Sequence, residues 1–170
     1  MTDEDGTEQE VVVQRGLYLD ELRVGVLTGA GGTFSAGMDL KAFLRGETPA
    51  IEGRGLCGIT QTPPRKPLVA AVEGWCVAGG LELAVWCDLR VADPEAVFGV
   101  FSRRWGVPLI DGGTVRLPRL IGTGRAMDLV LTGRSVDATE ALAIGLVNRL
   151  VPAGEALTAA QGLARQLAAF

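Results

Sequence analysis

The residues best suited to chemistry lie in two glycine-rich segments, each of which follows a short apolar run. The first is Gly29-Ala-Gly-Gly-Thr-Phe-Ser-Ala-Gly-Met-Asp-Leu40, and the second is Val77-Ala-Gly-Gly-Leu-Glu82. A strand that turns into a helix through glycines leaves backbone N–H groups unpaired at the helix start, where the helix dipole also favours negative charge. Two such helix starts facing each other would stabilise a carbonyl oxygen that becomes an oxyanion.

Glu82 adds a carboxylate to the second segment, three residues after Gly79 and over the same face of the predicted helix. A proton acceptor beside an oxyanion donor is the arrangement that moves a proton alpha to a thioester carbonyl. Acids are also common in the first turn of exposed helices, where the helix dipole favours negative charge. Because the neighbours of Glu82 are apolar and favour a buried helix, both interpretations stay open.

The chain of 170 residues contains no histidine. A Ser-His-Asp triad, a Cys-His pair and a histidine-ligated metal are therefore excluded, and we predict no metal site. Ser35 and Ser102 are poor candidates for a nucleophile, so carboxylates must do the acid–base work. Cys57, Cys76 and Cys87 form no CxxC pair, and we expect reduced, packed thiols.

Charge and hydropathy exclude two classes of partner. The net charge is −4 without any block of Lys and Arg, whereas binding to nucleic acid needs clustered cations. No apolar stretch reaches the roughly 18 residues of a membrane span, and the acidic start does not resemble a signal peptide. We therefore expect a cytoplasmic protein that binds neither nucleic acid nor membrane.

The elements that must position these segments alternate in a βαβ order, which predicts an α/β fold with a mostly parallel sheet and right-handed crossovers. Strands are predicted at residues 24–28, 68–72, 89–92 and 97–99, with a short extended run at 146–151. Helices are predicted at 38–44, 79–87, 123–131, 137–145 and 155–169, with Thr123 and Asp137 as caps. Residues 46–64 read as a mobile loop and residues 1–14 as a frayed start.

Five motifs, in order, carry a family resemblance: Phe34-Ser-Ala-Gly-Met-Asp-Leu-Lys41, Lys66-Pro-Leu-Val-Ala-Ala-Val-Glu-Gly74, Ala78-Gly-Gly-Leu-Glu-Leu-Ala84, Cys87-Asp88 and Gly112-Gly-Thr-Val-Arg-Leu-Pro118. Over residues 22–152 the chain resembles the enoyl-CoA hydratase/isomerase (crotonase) superfamily. The resemblance implies a ClpP/crotonase fold of repeated ββα units. It also implies an acyl-CoA thioester as substrate and no further cofactor.

The resemblance divides the chain into three parts and implies an assembly. Residues 1–21 are an acidic, disordered or atypical N-terminus, residues 22–152 the crotonase-like core, and residues 153–170 the start of a C-terminal helical region. The N-terminal strand and helix of the family and most of its C-terminal helical domain are not recognisable. Family members commonly use that domain to form trimers, so a homotrimer or hexamer is expected if the domain is not essential for assembly.

The resemblance also assigns roles to residues. The backbone N–H groups of Met38 and Gly79 correspond to the oxyanion donors, and the Met38 side chain can still be a core side chain. The backbone around Ala36, Asp39 and Leu40 is expected beside the coenzyme A adenine and pantetheine arm.

The carboxylates of the resemblance are unequal. Glu82 corresponds to the first catalytic glutamate of family hydratases, whereas Ser102, a predicted substrate-binding residue, stands at the position of the second. Asp111 resembles an aspartate of dienoyl-CoA-type isomerases and is predicted as a second acid or base; it can also be the N-cap of the following helix. Arg103, Arg104 and Trp105 are expected only to shape the acyl pocket.

These residues predict a crotonase-type enzyme that stabilises a thioester enolate. Shifting an enoyl-CoA double bond is compatible with one shuttling carboxylate, whereas hydration by two glutamates fits less well. The alternative is a shortened, catalytically impaired family member that only binds acyl-CoA or associates with relatives.

Overall fold

A computed structural model describes residues 22–46 and 59–170 of the chain, which form two sheets and the helices around them. The strands are β1 (Gly25–Thr28), β2 (Leu68–Val72), β3 (Trp75–Val77), β4 (Leu89–Ala92), β5 (Val97–Gly99), β6 (Ser135–Asp137) and β7 (Arg149–Leu150). The α-helices are α1 (Leu40–Leu44), α2 (Gly79–Trp86), α3 (Gly113–Ile121), α4 (Thr123–Thr132), α5 (Ala138–Ala143) and α6 (Ala156–Ala168), and a 3-10 helix covers Phe101–Trp105. None of the helices in these ranges has the length and apolar character needed to cross a bilayer.

The larger sheet is parallel throughout, in the order β1-β2-β4-β7. Every residue of β2 is buried, because the sheet is covered on both faces. Leu68, Ala70 and Val72 join the core cluster that contains α2, whereas Val69 and Ala71 join the cluster that contains α6. Alternation with a period of two thus explains why β2 reads as a continuous apolar run.

The smaller sheet has the order β3-β5-β6, with β3 and β5 parallel and β5 and β6 antiparallel. Its first strand continues towards the first glycine segment through a bridge between Ser35 and Cys76. Helix α2 starts two residues after β3 ends, and its residues Gly80 to Trp86 are all buried. The second glycine segment is therefore a strand-to-helix turn inside the core.

The predicted helices and strands are present, including the three-residue β5, and the predicted mostly parallel α/β arrangement is confirmed as well. Strands β3 and β6 and the 3-10 helix were not predicted. The predicted frayed start, Cys57 and most of the predicted loop at 46–64 lie outside the described residues. At the described end of that loop Ile59 and Thr60 are buried, whereas residues 61–63 are exposed.

The two predicted caps differ in outcome. The Asp137 carboxylate accepts a hydrogen bond from the Glu140 N–H at 2.8 Å, which confirms it as the cap of α5. Thr123 is not a cap. Gly122, with φ 84°, ends α3 and begins α4, so Thr123 is already the first helical residue and no side-chain cap is present.

Arg90 is a buried cation of β4 that ties the larger sheet to its surroundings, with only 1% of its surface exposed. Its Nε donates to the Leu146 carbonyl at 2.7 Å, and Nη1 donates to the Cys87 carbonyl at 2.6 Å. Nη2 reaches the Asp88 carbonyl and Asn148 Oδ1 at 3.2 and 3.3 Å. The guanidinium thereby joins β4 to the end of α2 and to the segment before β7.

Replacing Arg90 by methionine should lower the free energy of unfolding by about 3 kcal/mol or more, because several buried carbonyls lose their donor. Urea denaturation measures the change. Arg165→Met, on the exposed side of α6, is the matched control and should change stability by less than about 0.5 kcal/mol. Equal stability of the two variants would show that the Arg90 contacts contribute nothing.

Candidate active site

The predicted site residues meet at one cavity of about 570 Å³ between the two glycine segments and the loop before α3. Seven of the eight predicted residues line it, and the exception is Leu40, whose backbone starts α1. The cavity has apolar walls with few polar groups. It is lined by Ala36, Met38, Asp39, Lys41, Val77, Ala78, Gly79, Glu82, Phe101, Ser102, Trp105, Val107, Pro108, Ile110 and Asp111.

The two glycine segments touch through positions that only glycine can occupy. Gly37 has φ +87°, and a Cβ added there would lie 2.7 Å from the Gly79 nitrogen. A Cβ on Gly80 would lie 2.0 Å from the Ser35 carbonyl oxygen. Because real Cβ atoms do not approach backbone this closely, these glycines set the separation of the two helix starts.

The backbone at the second helix start is strained. Ala78 has φ 52° and ψ −125°, a conformation that non-glycine residues rarely adopt. Its N–H donates to the Gly99 carbonyl at 2.9 Å and so holds the turn against β5. In the part of the chain that the structure describes, the N–H groups of Met38 and Gly79 have no hydrogen-bond acceptor. Two amides on touching segments are thus available to an anionic oxygen.

Glu82 is 97% buried, and its Oε1 accepts two backbone hydrogen bonds from the loop before α3. The donors are the N–H groups of Asp111 at 2.9 Å and Gly113 at 2.8 Å. Because Gly113 is the first residue of α3, the carboxylate also lies at the positive end of that helix. Both donors reach Oε1, so Oε2 is the oxygen left for a proton.

Burial raises the pKa of Glu82 above its ordinary value of 4.5, while the N–H donors of Gly113 and Asp111 oppose that rise. The folded state then binds the proton more tightly than the unfolded state does. Stability that depends on this proton must therefore fall as pH rises from 4.5 through the raised pKa.

Glu82→Gln, which cannot titrate, should gain stability relative to the wild type between pH 4 and pH 7. Urea denaturation of both proteins at the two pH values measures the difference. A difference that is independent of pH would contradict the raised pKa.

Asp111 is buried at the same cavity, on the turn that leads into α3. Its Oδ1 accepts a hydrogen bond from the Thr60 hydroxyl. The alternative of Asp111 as an N-cap is wrong, since the N-cap position of α3 is Gly112 and no side chain caps it. Glu82, from another helix, instead accepts the hydrogen bond of the first N–H of α3.

Ser102 lies in the 3-10 helix and is 93% buried. Its hydroxyl is the buried side-chain polar atom that lacks a hydrogen-bond partner within the described ranges. It cannot replace a carboxylate in proton transfer at neutral pH, because a hydroxyl does not ionise there. Three carboxylates line this cavity, and of these Glu82 and Asp111 are buried whereas Asp39 is exposed.

The remaining predicted residues have structural contacts of their own. The Asp39 Oδ1 accepts hydrogen bonds from the N–H groups of Lys41 and Ala42, which cap α1 and lower the pKa of Asp39. Trp105 lines the cavity while 70% of its surface is exposed. Arg104 stacks over the Phe101 ring at 3.5 Å and donates to the Gly133 carbonyl at 2.7 Å.

Sequence patterns missed the groups around the two carboxylates. Thr60 is 51 residues from Asp111 along the chain, and no local motif indicates their contact. Arg116 was quoted only within a motif, yet it donates to the carbonyls of Asp111 and Thr60, each at 2.6 Å. Gly113 also lies against Glu82, since an added Cβ would be 2.9 Å from the Glu82 side chain. Its position in the Gly112-Gly113 pair is the sequence signal that could have identified it.

Comparison with known proteins agrees with this geometry. The family model described as enoyl-CoA hydratase/isomerase matches residues 18–169. The chain belongs to the enoyl-CoA hydratase/isomerase family. A solved structure described as enoyl-CoA hydratase EchA1 from Mycobacterium marinum superposes with a TM-score of 0.86 and 50% identity, over 92% of this chain and 62% of that one. The crotonase-like fold is thereby confirmed.

Two curated relatives of the family extend the comparison. Enoyl-CoA hydratase EchA19 of Mycobacterium tuberculosis is 42% identical over 88% of this chain and 59% of its own length. A probable mitochondrial enoyl-CoA hydratase of Dictyostelium discoideum is 38% identical over 98% of this chain and 61% of its own. The chain thus spans about three fifths of the length of these relatives.

Proposed function

We propose that this chain binds an acyl-CoA thioester and stabilises its enolate between the N–H groups of Met38 and Gly79. The observation that carries the proposal is the close approach of the two glycine segments beside Glu82. A Cβ added at Gly37 would lie 2.7 Å from the Gly79 nitrogen, and the Met38 and Gly79 amides both lack a partner in the described residues. An enolate oxygen needs two such donors in a site with little water. The names of the family and of its relatives support acyl-CoA as the substrate class.

Glu82 and Asp111 then divide the proton transfer. In a 3-enoyl thioester, Glu82 removes the proton from C2, and the electron pair delocalises onto the thioester oxygen as a dienolate. Return of a proton at C4 moves the double bond to C2–C3, so no atom is gained or lost. Because burial raises the pKa of Glu82, its carboxylate is a stronger proton acceptor than an ordinary glutamate, which suits the removal of the C2 proton.

Isomerisation is favoured over hydration because Ser102 stands at the position predicted for a second glutamate. Hydration needs one group to activate water and another to deliver the alpha proton. The Asp111 carboxylate accepts a hydrogen bond from Thr60, and the Asp111 backbone N–H donates to Glu82. The two carboxylates are thus held close together, which suits the proton transfer of an isomerase. The same substitution also favours a second candidate function, the binding of acyl-CoA without turnover.

One experiment separates these candidates. The purified chain is mixed with 3-enoyl-CoA and, separately, with 2-enoyl-CoA in water. We expect conjugation of the 3-enoyl thioester through many turnovers and little 3-hydroxyacyl product. Tight binding without either product would support the non-catalytic function, and the absence of binding would contradict both.

The role of Ser102 has its own test. Ser102→Glu should raise the ratio of hydration to isomerisation by about tenfold or more, since it introduces a further carboxylate at the position predicted for the second glutamate of hydratases. Product ratios from 2-enoyl and 3-enoyl substrates measure this change, with Ser102→Gln as the uncharged control of similar size. Equal ratios in the two variants would mean that the position does not determine the reaction.

We also propose that the chain forms a homotrimer or hexamer and that it is located in the cytoplasm. The coenzyme A thioester is proposed as substrate, with no other cofactor. Sedimentation of the chain with and without acyl-CoA would measure the assembly.

A further inference from the structure

Side-chain hydrogen bonds join the segment before β2 to the helix and the turn that carry the two acid–base carboxylates. Thr60 is fully buried, and its hydroxyl donates to Asp111 Oδ1. Two residues further on, the Thr62 carbonyl accepts a hydrogen bond from Trp86 Nε1 at 2.7 Å, at the end of α2. The segment thus lies against both the helix that carries Glu82 and the turn that carries Asp111.

Arg116 joins the backbone of Asp111 to the backbone of Thr60. Its Nη1 donates to the Asp111 carbonyl and its Nη2 to the Thr60 carbonyl, both at 2.6 Å. The guanidinium fits because Gly112 has no side chain: a Cβ there would lie 2.3 Å from Nη1. The planar fork of arginine can join two carbonyls at once, which a lysine ammonium on a flexible stem does less well.

These contacts form one connected path to the reacting carboxylate. Arg116 fixes the backbone of Thr60 and Asp111, the Thr60 hydroxyl orients the Asp111 carboxylate, and the Asp111 N–H donates to Glu82 Oε1 at 2.9 Å. A hydroxyl that donates to a carboxylate restricts the rotation of that carboxylate. The path therefore sets the orientation of the Asp111 carboxylate at the cavity wall.

We propose that Thr60 and Arg116 are positioning residues that hold Asp111 in its productive orientation for proton transfer beside Glu82. This inference rests on the proposed function, because it needs Asp111 to take part in the reaction. Neither residue touches the substrate. Both act through Asp111, so their effect must vanish when the Asp111 carboxylate is removed.

The test uses Thr60→Val, which keeps the shape of the side chain and removes the hydroxyl. On 3-enoyl-CoA we expect kcat to fall about 10-fold to 100-fold, the range for a lost hydrogen bond to a charged group, while KM changes less than about twofold. Thr60→Ser restores the hydroxyl and should recover most of kcat. The matched control is Thr28→Val, which removes a hydroxyl of β1 that donates to the Ala71 carbonyl of β2. This variant should keep kcat.

A double-mutant cycle separates positioning from a merely structural role. In an Asp111→Asn background, Thr60→Val should cause little further loss, and Arg116→Lys should behave in the same way. Three results would overturn the inference while the wild type still turns over: an unchanged kcat in Thr60→Val, a full rate in Asp111→Asn, or an equal loss from Thr60→Val in both backgrounds. An inactive wild type that binds acyl-CoA would instead overturn the proposed isomerase, and this inference with it.

Discussion

Replacing Glu82 by glutamine should lower the rate of proton exchange alpha to a bound thioester by a factor of about 10²–10⁴, the range for loss of a positioned acid–base group. The amide oxygen of glutamine can still accept the N–H groups of Asp111 and Gly113, so the loop before α3 should stay in place. The affinity for acyl-CoA should therefore change less than about threefold, because the Glu82 carboxylate moves the proton and does not hold the substrate in place. Exchange into deuterated water, followed by mass spectrometry, measures the rate.

The matched control for this substitution is Glu95→Gln, since Glu95 is exposed and lies after β4, away from the cavity lining. It removes the same charge and should leave exchange unchanged. If Glu82→Gln and Glu95→Gln exchange at equal rates, Glu82 is only a buried partner of α3 and the acid–base role is wrong.

The second large effect is expected at Gly37. In Gly37→Ala, the new Cβ would lie 2.7 Å from the Gly79 nitrogen, so the two glycine segments must separate or the Gly79 N–H must turn. Either movement removes an oxyanion donor, and such losses lower rates by about 10²–10³-fold. The loss should fall on kcat, because the donor is needed most when charge develops on the oxygen. Steady-state kinetics on 3-enoyl-CoA measures it.

Gly154 provides a control that keeps the strain and omits the collision. It has φ +75°, and no atom lies within 4 Å of an added Cβ. Gly154→Ala should therefore lose a similar amount of stability through its left-handed backbone and leave kcat unchanged. Equal kinetic losses in the two variants would assign the Gly37 effect to backbone strain and not to the oxyanion donors.

Local patterns were sufficient to predict the groups that belong to one element. Gly79 and Glu82 are three residues apart on α2, so their proximity follows from helix geometry alone. The apolar run of β2 and the cap at Asp137 were likewise predictable from the residues. The likeness of the motifs added Met38 and Asp111, which line the same cavity.

Contacts between distant segments could not be predicted in this way. Thr60 and Asp111 meet across 51 residues, and Arg116 reaches the Thr60 carbonyl across 56. Nothing in the neighbours of Thr60 distinguishes it from an exposed loop residue, which explains why the burial of Ile59 and Thr60 was not predicted. The wrong cap at Thr123 has the opposite cause, because a residue favoured as a cap stood one position after a glycine that joins two helices directly.

We propose that this chain forms a thioester enolate between two backbone amides with Glu82 as the base. Deuterium exchange at C2 of a saturated acyl-CoA measures that step alone, because such a substrate can neither isomerise nor hydrate. We expect the wild type to exchange the C2 protons catalytically, Glu82→Gln to lose this exchange, and Ser102→Ala to retain it. Binding of the saturated acyl-CoA without any C2 exchange in the wild type would contradict the account.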